Sequence, residues 1–236
     1  FNNLGAHNIS SRISSNKPAG LLGVNIGPNK DTNDRLNDYL IGLKNFYKIC
    51  DYITINISSP NTEGLRDFHD QNKLEELLAA LNQIKKQKKT NISLLLKVSP
   101  DINVNDISEI ADTAIKNDIS AIILTNTTNK NRDNLLSETK KEEGGLSGKP
   151  LQQISTIMIK KFYKELKGKI PIIGVGGVSS GKSAYEKIIA GASLLQLYTG
   201  LVYKGPLVAK KIKKELIQIL KTEGISNIKE AVGKDV

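Results

Sequence analysis

Residues 56–66 read NISSPNTEGLR: two serines, two asparagines and a threonine, with no histidine, cysteine or aspartate. Asparagine amides both donate and accept hydrogen bonds. Asn56 and Asn61, joined by Asn126 of LTNTT, can clamp a flat ring rich in heteroatoms, such as a pyrimidine. Each taken alone reads equally well as a turn residue, Asn61 especially because it follows Pro60. Lys97 ends the apolar run ISLLLKV. A buried ammonium is costly without a partner. Lys97 therefore either snorkels outward or meets negative charge on a ligand, and a reduced flavin is one such ligand. Glycines gather late in the chain, in GGLSG (144–148), GVGG (174–177) and YTG (198–200). Glycine lets backbone approach a phosphate with no Cβ in the way, though each group alone could be a turn or a helix cap.

These residues need elements to place them. Apolar, β-branched runs recur at 21–27, 52–58, 92–98, 120–126, 170–176 and 193–199, and read as strands buried on both faces of a parallel sheet. Amphipathic segments lie between them, at 72–88, 104–117, 151–166 and 206–221 among others. Leu74, Leu77, Leu78 and Leu81 share one helical face, and Asp101 or Asn103 can cap the helix over 104–117. Such alternation predicts one α/β domain over residues 1–236, either a doubly wound sheet or a (β/α)8 barrel. The first strand-to-helix turn, NIGPNKD, lacks a G-x-G-x-x-G, and the late glycines favour the barrel. In either fold ligands bind at the carboxyl ends of the strands. Those ends carry Asn25, Asn56, Lys97, Thr125, Asn126, Thr127, Gly176, Gly177, Tyr198 and Thr199.

Composition narrows the function classes. The formal charge is +10, but the lysines are spread over predicted helices and aromatics are 5%, which argues against single-strand nucleic acid binding. The segment 206–221 is basic and amphipathic, and reads as an outer helix in preference to a membrane anchor. One cysteine, Cys50, reads as a buried thiol, and the two histidines with it make no zinc site. No apolar run reaches the roughly 18–20 residues that span a bilayer.

NISSPNTEGLR, LLGVNIG, LLLKVSPD, LTNTT, EEGGLSGKP, PIIGVGGVSS and AGASLLQLYTGLVYKGP occur in that order. Together they resemble the class 2 dihydroorotate dehydrogenases, over essentially the whole chain. The resemblance implies a (β/α)8 TIM barrel that holds FMN and oxidises dihydroorotate to orotate in pyrimidine synthesis, passing electrons to a membrane quinone. Class 1 members carry cysteine at the base position, where this chain has Ser59. By matched position, Ser59 is implied as the base that takes the proton from substrate C5, as hydride leaves C6 for flavin N5. Phe1, Asn56, Asn61, Asn126 and Thr127 are implied to bind substrate, and Thr62 to assist in a proton relay. Asn25, Asn56, Lys97 and Thr125 match residues around the flavin ring and ribityl chain, and Gly148, Gly177, Tyr198 and Thr199 those at its phosphate.

Two loop residues depart from the family pattern, Glu63 where proline or alanine is usual and Pro28 where lysine is common. The resemblance also implies that the family's first two barrel strands and its helical, membrane-contacting domain precede Phe1. The expectation is then that residues 1–236 alone are poorly soluble or inactive, and that association is peripheral, with a bacterial or mitochondrial inner membrane. A class 1 flavin barrel, a sugar-phosphate isomerase and a catalytically silent barrel segment are the competing readings; a yellow colour separates the redox pair from the other two.

Overall fold

The computed structural model describes residues 3–62, 64–130, 132–133 and 135–236. Six strands alternate with helices: β1 (Gly23–Ile26), β2 (Tyr52–Asn56), β3 (Ser93–Val98), β4 (Ala121–Leu124), β5 (Ile172–Val175) and β6 (Ala192–Gln196). Helix α1 (Ala6–Ser15) precedes β1, α2 (Arg35–Phe46) follows it, and α3 (Gln71–Gln87), α4 (Asp106–Lys116) and α5 (Gln152–Leu166) follow β2, β3 and β4. After β5 comes α6 (Gly181–Ile189), and after β6 come α7 (Thr199–Lys204) and α8 (Val208–Thr222).

Local chemistry explains the helix starts. Asp70 caps α3 by accepting from the backbone of Asn72 and Lys73, both at 3.1 Å. Leu74, Leu77, Leu78 and Leu81 are buried on the predicted face. Ser180 and Ser183 form a capping box on α6, and Glu215 of α8 accepts from the Gly181 N–H at 2.6 Å. Helix α4 starts differently from the expectation. Its cap position is Asn105, with no side-chain cap bond, and Asp101 is engaged elsewhere.

All strand pairs are parallel, in the order β1-β2-β3-β4-β5-β6. A doubly wound sheet reverses its strand order at a switch point; a barrel does not. Right-handed crossovers in a constant order put every helix on the same face. That face buries Ile53, Ile55, Leu94, Leu96, Ile122 and Leu124 with the apolar sides of α2 to α5. The opposite face holds a smaller, strand-only cluster of Leu95, Ala121, Ile123 and Ile173. Alternation places Thr54, Asn56 and Lys97 there too. The central strands are thus apolar and buried on both faces as expected, with polar side chains entering the helix-free face at Thr54, Asn56 and Lys97. Among the described residues β1 and β6 each have one strand neighbour.

Cys50 is buried and its thiol donates to the Phe46 carbonyl at 3.2 Å; burial, helped by Asp51, pushes its pKa up to about 11. The described residues hold no cluster able to ligate a metal, and no helix long and apolar enough to cross a membrane.

Candidate active site

Asn56 and Lys97 are register partners at the ends of β2 and β3. Asn126 reaches Asn56 from the loop after β4. Its Nδ2 donates to Asn56 Oδ1 at 3.1 Å and to Ser58 Oγ at 3.0 Å, and Ser58 Oγ donates to Asn56 Oδ1 at 2.9 Å. Asn126 Oδ1 accepts from the Thr127 N–H at 2.8 Å, which fixes the amide's orientation. From outside the sheet, the buried Tyr39 hydroxyl of α2 donates to the Asn56 carbonyl at 2.6 Å, and burial holds its pKa well above the ordinary phenol value.

The two serines differ. Ser58 is fully buried and its hydroxyl both donates and accepts within the asparagine pair. Ser59 is partly exposed, and its Oγ accepts from the Asn61 N–H at 3.3 Å. That bond leaves the Ser59 hydroxyl proton uncommitted among the described residues. Asn61 itself is exposed and meets Ser59 through its backbone, so the structure joins Asn56 and Asn126 but not the Asn61 amide. Thr62 is partly buried, and its carbonyl accepts from Leu65. Phe1 and Glu63 lie outside the described residues.

A guanidinium behind this edge ties three loops together. Arg66 Nη1 pairs with Asp101 Oδ2 at 3.0 Å, and Nη2 donates to the Thr127 carbonyl at 3.4 Å. Asp101 also accepts from Thr128 Oγ1 at 2.5 Å and the Asn129 N–H at 3.1 Å. The neighbouring His69 donates from Nδ1 to the Arg66 carbonyl at 2.8 Å and accepts from Ser99 N–H at Nε2, 3.4 Å. Both bonds suit a neutral ring, and burial lowers its pKa.

The three glycine groups converge on one cleft, and Gly145 also reaches the asparagine edge. A Cβ on Gly145 would run into Thr127 Oγ1 and would lie 3.1 Å from Pro60, so Gly145 closes over the asparagine edge. A Cβ on Gly148, where φ is +79°, would lie 2.9 Å from Thr199 Cγ2. Thr199 Oγ1 in turn donates to Ser147 Oγ at 3.0 Å. Gly148, Gly177 and Thr199 line a cleft of about 1140 Å³ between the loop after β4 and helices α6 and α7. The same three line a smaller cavity with Lys97 and Thr125, next to the exposed Tyr198. Burial lowers the Lys97 pKa, and among the described residues no carboxylate offsets it. Asn25 is exposed at the open end of this face.

Sequence reasoning missed Ser58, Tyr39 and the Arg66–Asp101 pair. Ser58 stood next to a more conspicuous serine. The others contact the site from elements far away in the chain, which spacing does not reveal.

The family profile for dihydroorotate dehydrogenase matches residues 1–220. The chain belongs to the dihydroorotate dehydrogenase family. It is 43% identical over 234 residues to a dihydroorotate dehydrogenase (quinone) of Bartonella tribocorum, covering 98% of this chain and 65% of that one. It is also 43% identical over 216 residues to the mitochondrial dihydroorotate dehydrogenase (quinone) of Mus musculus, covering 91% of this chain and 55% of that protein. The chain therefore spans less than two thirds of these relatives' length. Ligand-free DHODH from Eimeria tenella superposes with a TM-score of 0.93 at 36% identity, over 100% of this chain and 72% of that one. The family and its barrel-type strand order agree with the expected fold, as does the shorter span.

Proposed function

We propose that this chain forms the catalytic part of an FMN-dependent enzyme that oxidises dihydroorotate to orotate and delivers the electrons to a quinone, in pyrimidine synthesis. The observation that carries this is the paired-amide edge, Asn56 with Asn126, opening onto a cavity that holds a glycine cradle and a lysine with no carboxylate partner among the described residues. The donor set fits FMN. Lys97 is a partly buried cation that an anionic flavin ring would satisfy, and Gly148, Gly177 and Thr199 suit a phosphate end. Thr125 and Asn25 would flank the ring, and Tyr198 the phosphate. When bound, the flavin supplies the two-electron acceptor for the reaction.

The chain's own residues supply position and a proton acceptor. Asn56, Asn126 and Thr127 would hold the pyrimidine edge and stabilise charge on its carbonyls as the C5 proton leaves. Asn61, Phe1 and a relay through Thr62 are proposed on the family match alone. Ser59 Oγ would take the proton. Its uncommitted hydroxyl supports this over Ser58, whose hydroxyl is already occupied. Serine rather than cysteine at 59, and relatives named for quinone, favour quinone over other acceptors. Quinone as acceptor and the mitochondrial name of one relative support peripheral membrane association of the whole enzyme.

The test is Ser59→Ala in the full chain. Flavin content should persist while dihydroorotate-driven bleaching of the flavin slows by about 10²–10⁴-fold, the range for a lost general base. Unchanged bleaching would remove Ser59 from the mechanism.

A further inference from the structure

Lys187, on α6, has 0% of its surface exposed and no part in the site described so far. Its ammonium donates to Ser155 Oγ at 3.0 Å, Thr156 Oγ1 at 3.2 Å and the Gln152 carbonyl at 3.3 Å. All three belong to the first turns of α5, and all are neutral. The carboxylates of this corner are engaged by other donors. Glu186 accepts from Gln152 Nε2 and Glu215 from the Gly181 N–H, each at 2.6 Å. A cation is thus held dry at the positive end of a helix, with no carboxylate in contact among the described residues. Burial and the helix dipole both oppose a charge there. Burial pushes the Lys187 pKa down to about 8, with Glu186 partly opposing. Such a placement is consistent with a negative charge bound nearby.

The glycine cradle is that neighbour. A Cβ on Gly177 would lie 2.5 Å from Gln152 Cβ and 3.1 Å from its backbone nitrogen, so the cradle rests on the residue whose carbonyl holds Lys187. Ser155, which accepts from Lys187, also donates to the Val175 carbonyl at the end of β5. Lys149, Lys182 and Lys204 line the same cleft, but they are exposed and solvent screens them.

We infer that Lys187 is a buried counter-charge for a phosphate dianion in this cradle. It acts through the low-dielectric interior without touching the ligand, and sets the preference for a phosphorylated flavin over a non-phosphorylated one. The inference rests on reading the cradle as a phosphate site, and the experiment separates the two. The full chain, freed of flavin, is titrated with FMN and with riboflavin, following flavin fluorescence. Wild type should bind FMN the more tightly. Lys187→Met should weaken FMN by about tenfold or more and riboflavin by about twofold or less, a difference of about fivefold or more in Kd. Thr156→Asp keeps the lysine and neutralises it with an adjacent carboxylate; it should produce the same selective loss, and it carries the test if Lys187→Met does not fold. Equal weakening of both flavins, or none, would make Lys187 a packing residue and overturn the inference. A wild type indifferent to the phosphate would overturn the cradle reading with it.

Discussion

At the scale of single residues, the site depends on which groups already have partners. Ser58 spends its hydroxyl on Asn56 and Asn126, so Ser58→Ala should loosen both amides without removing a base. The expected result is a KM for dihydroorotate raised by about tenfold, the cost of roughly one net hydrogen bond, with a smaller change in kcat. Steady-state kinetics beside Ser59→Ala, where kcat falls instead, would separate the two serines. Lys97 has burial against it and, among the described residues, no carboxylate for it. Lys97→Met should leave the flavin bound but shift its midpoint potential about 30 mV or more to the negative, because a cation favours the reduced, anionic ring. A redox titration that finds the potential unmoved would remove Lys97 from the ring's surroundings.

Between elements, the decisive contact is Arg66 to Asp101. It fastens the loop after β2, which carries Ser59, to the loops after β3 and β4, which carry Asp101 and Thr127. The Asp101 side chain is 5% exposed, so Arg66→Ala leaves a buried carboxylate without its cation, held only by Thr128 and the Asn129 N–H, and should destabilise the fold by about 3 kcal/mol, the low end for a broken buried pair because the Arg66 side chain is 29% exposed. Urea unfolding of Arg66→Ala, Asp101→Ala and the double variant should show strong non-additivity. His69 stitches the same loops as a neutral ring. Its folded pKa lies below the ordinary 6.5, so the unfolded chain binds the proton more readily. Stability from this group is complete above about pH 6.5 and is lost as pH falls below it. His69→Gln should flatten that acid limb in unfolding curves measured between pH 7 and 5.

Over the whole molecule, β1 and β6 are both open edges among the described residues, and Leu194, Val202, Tyr203 and Leu207 are exposed on and after β6. Open parallel edges beside apolar side chains promote self-association. Residues 1–236 in isolation should therefore associate despite a net charge of +10, and Leu194→Lys should reduce the association seen by light scattering. The strand runs, the α3 face, the buried Cys50 and the polar strand ends were all legible from periodicity and residue type, since each depends on neighbours a few positions away. That helices cover only one face was not legible, because an apolar run reads the same whether helices cover one face or two. The α4 start was misread for a related reason: Asp101 has the chemistry of a cap but is claimed by Arg66, 35 residues earlier. By itself the sequence determined the strand–helix alternation and the set of groups at the strand ends. Only the tertiary structure decided which serine is left uncommitted, which amides meet, and where Lys187 lies, because hydrogen-bond partners and burial are set by residues that only folding brings together.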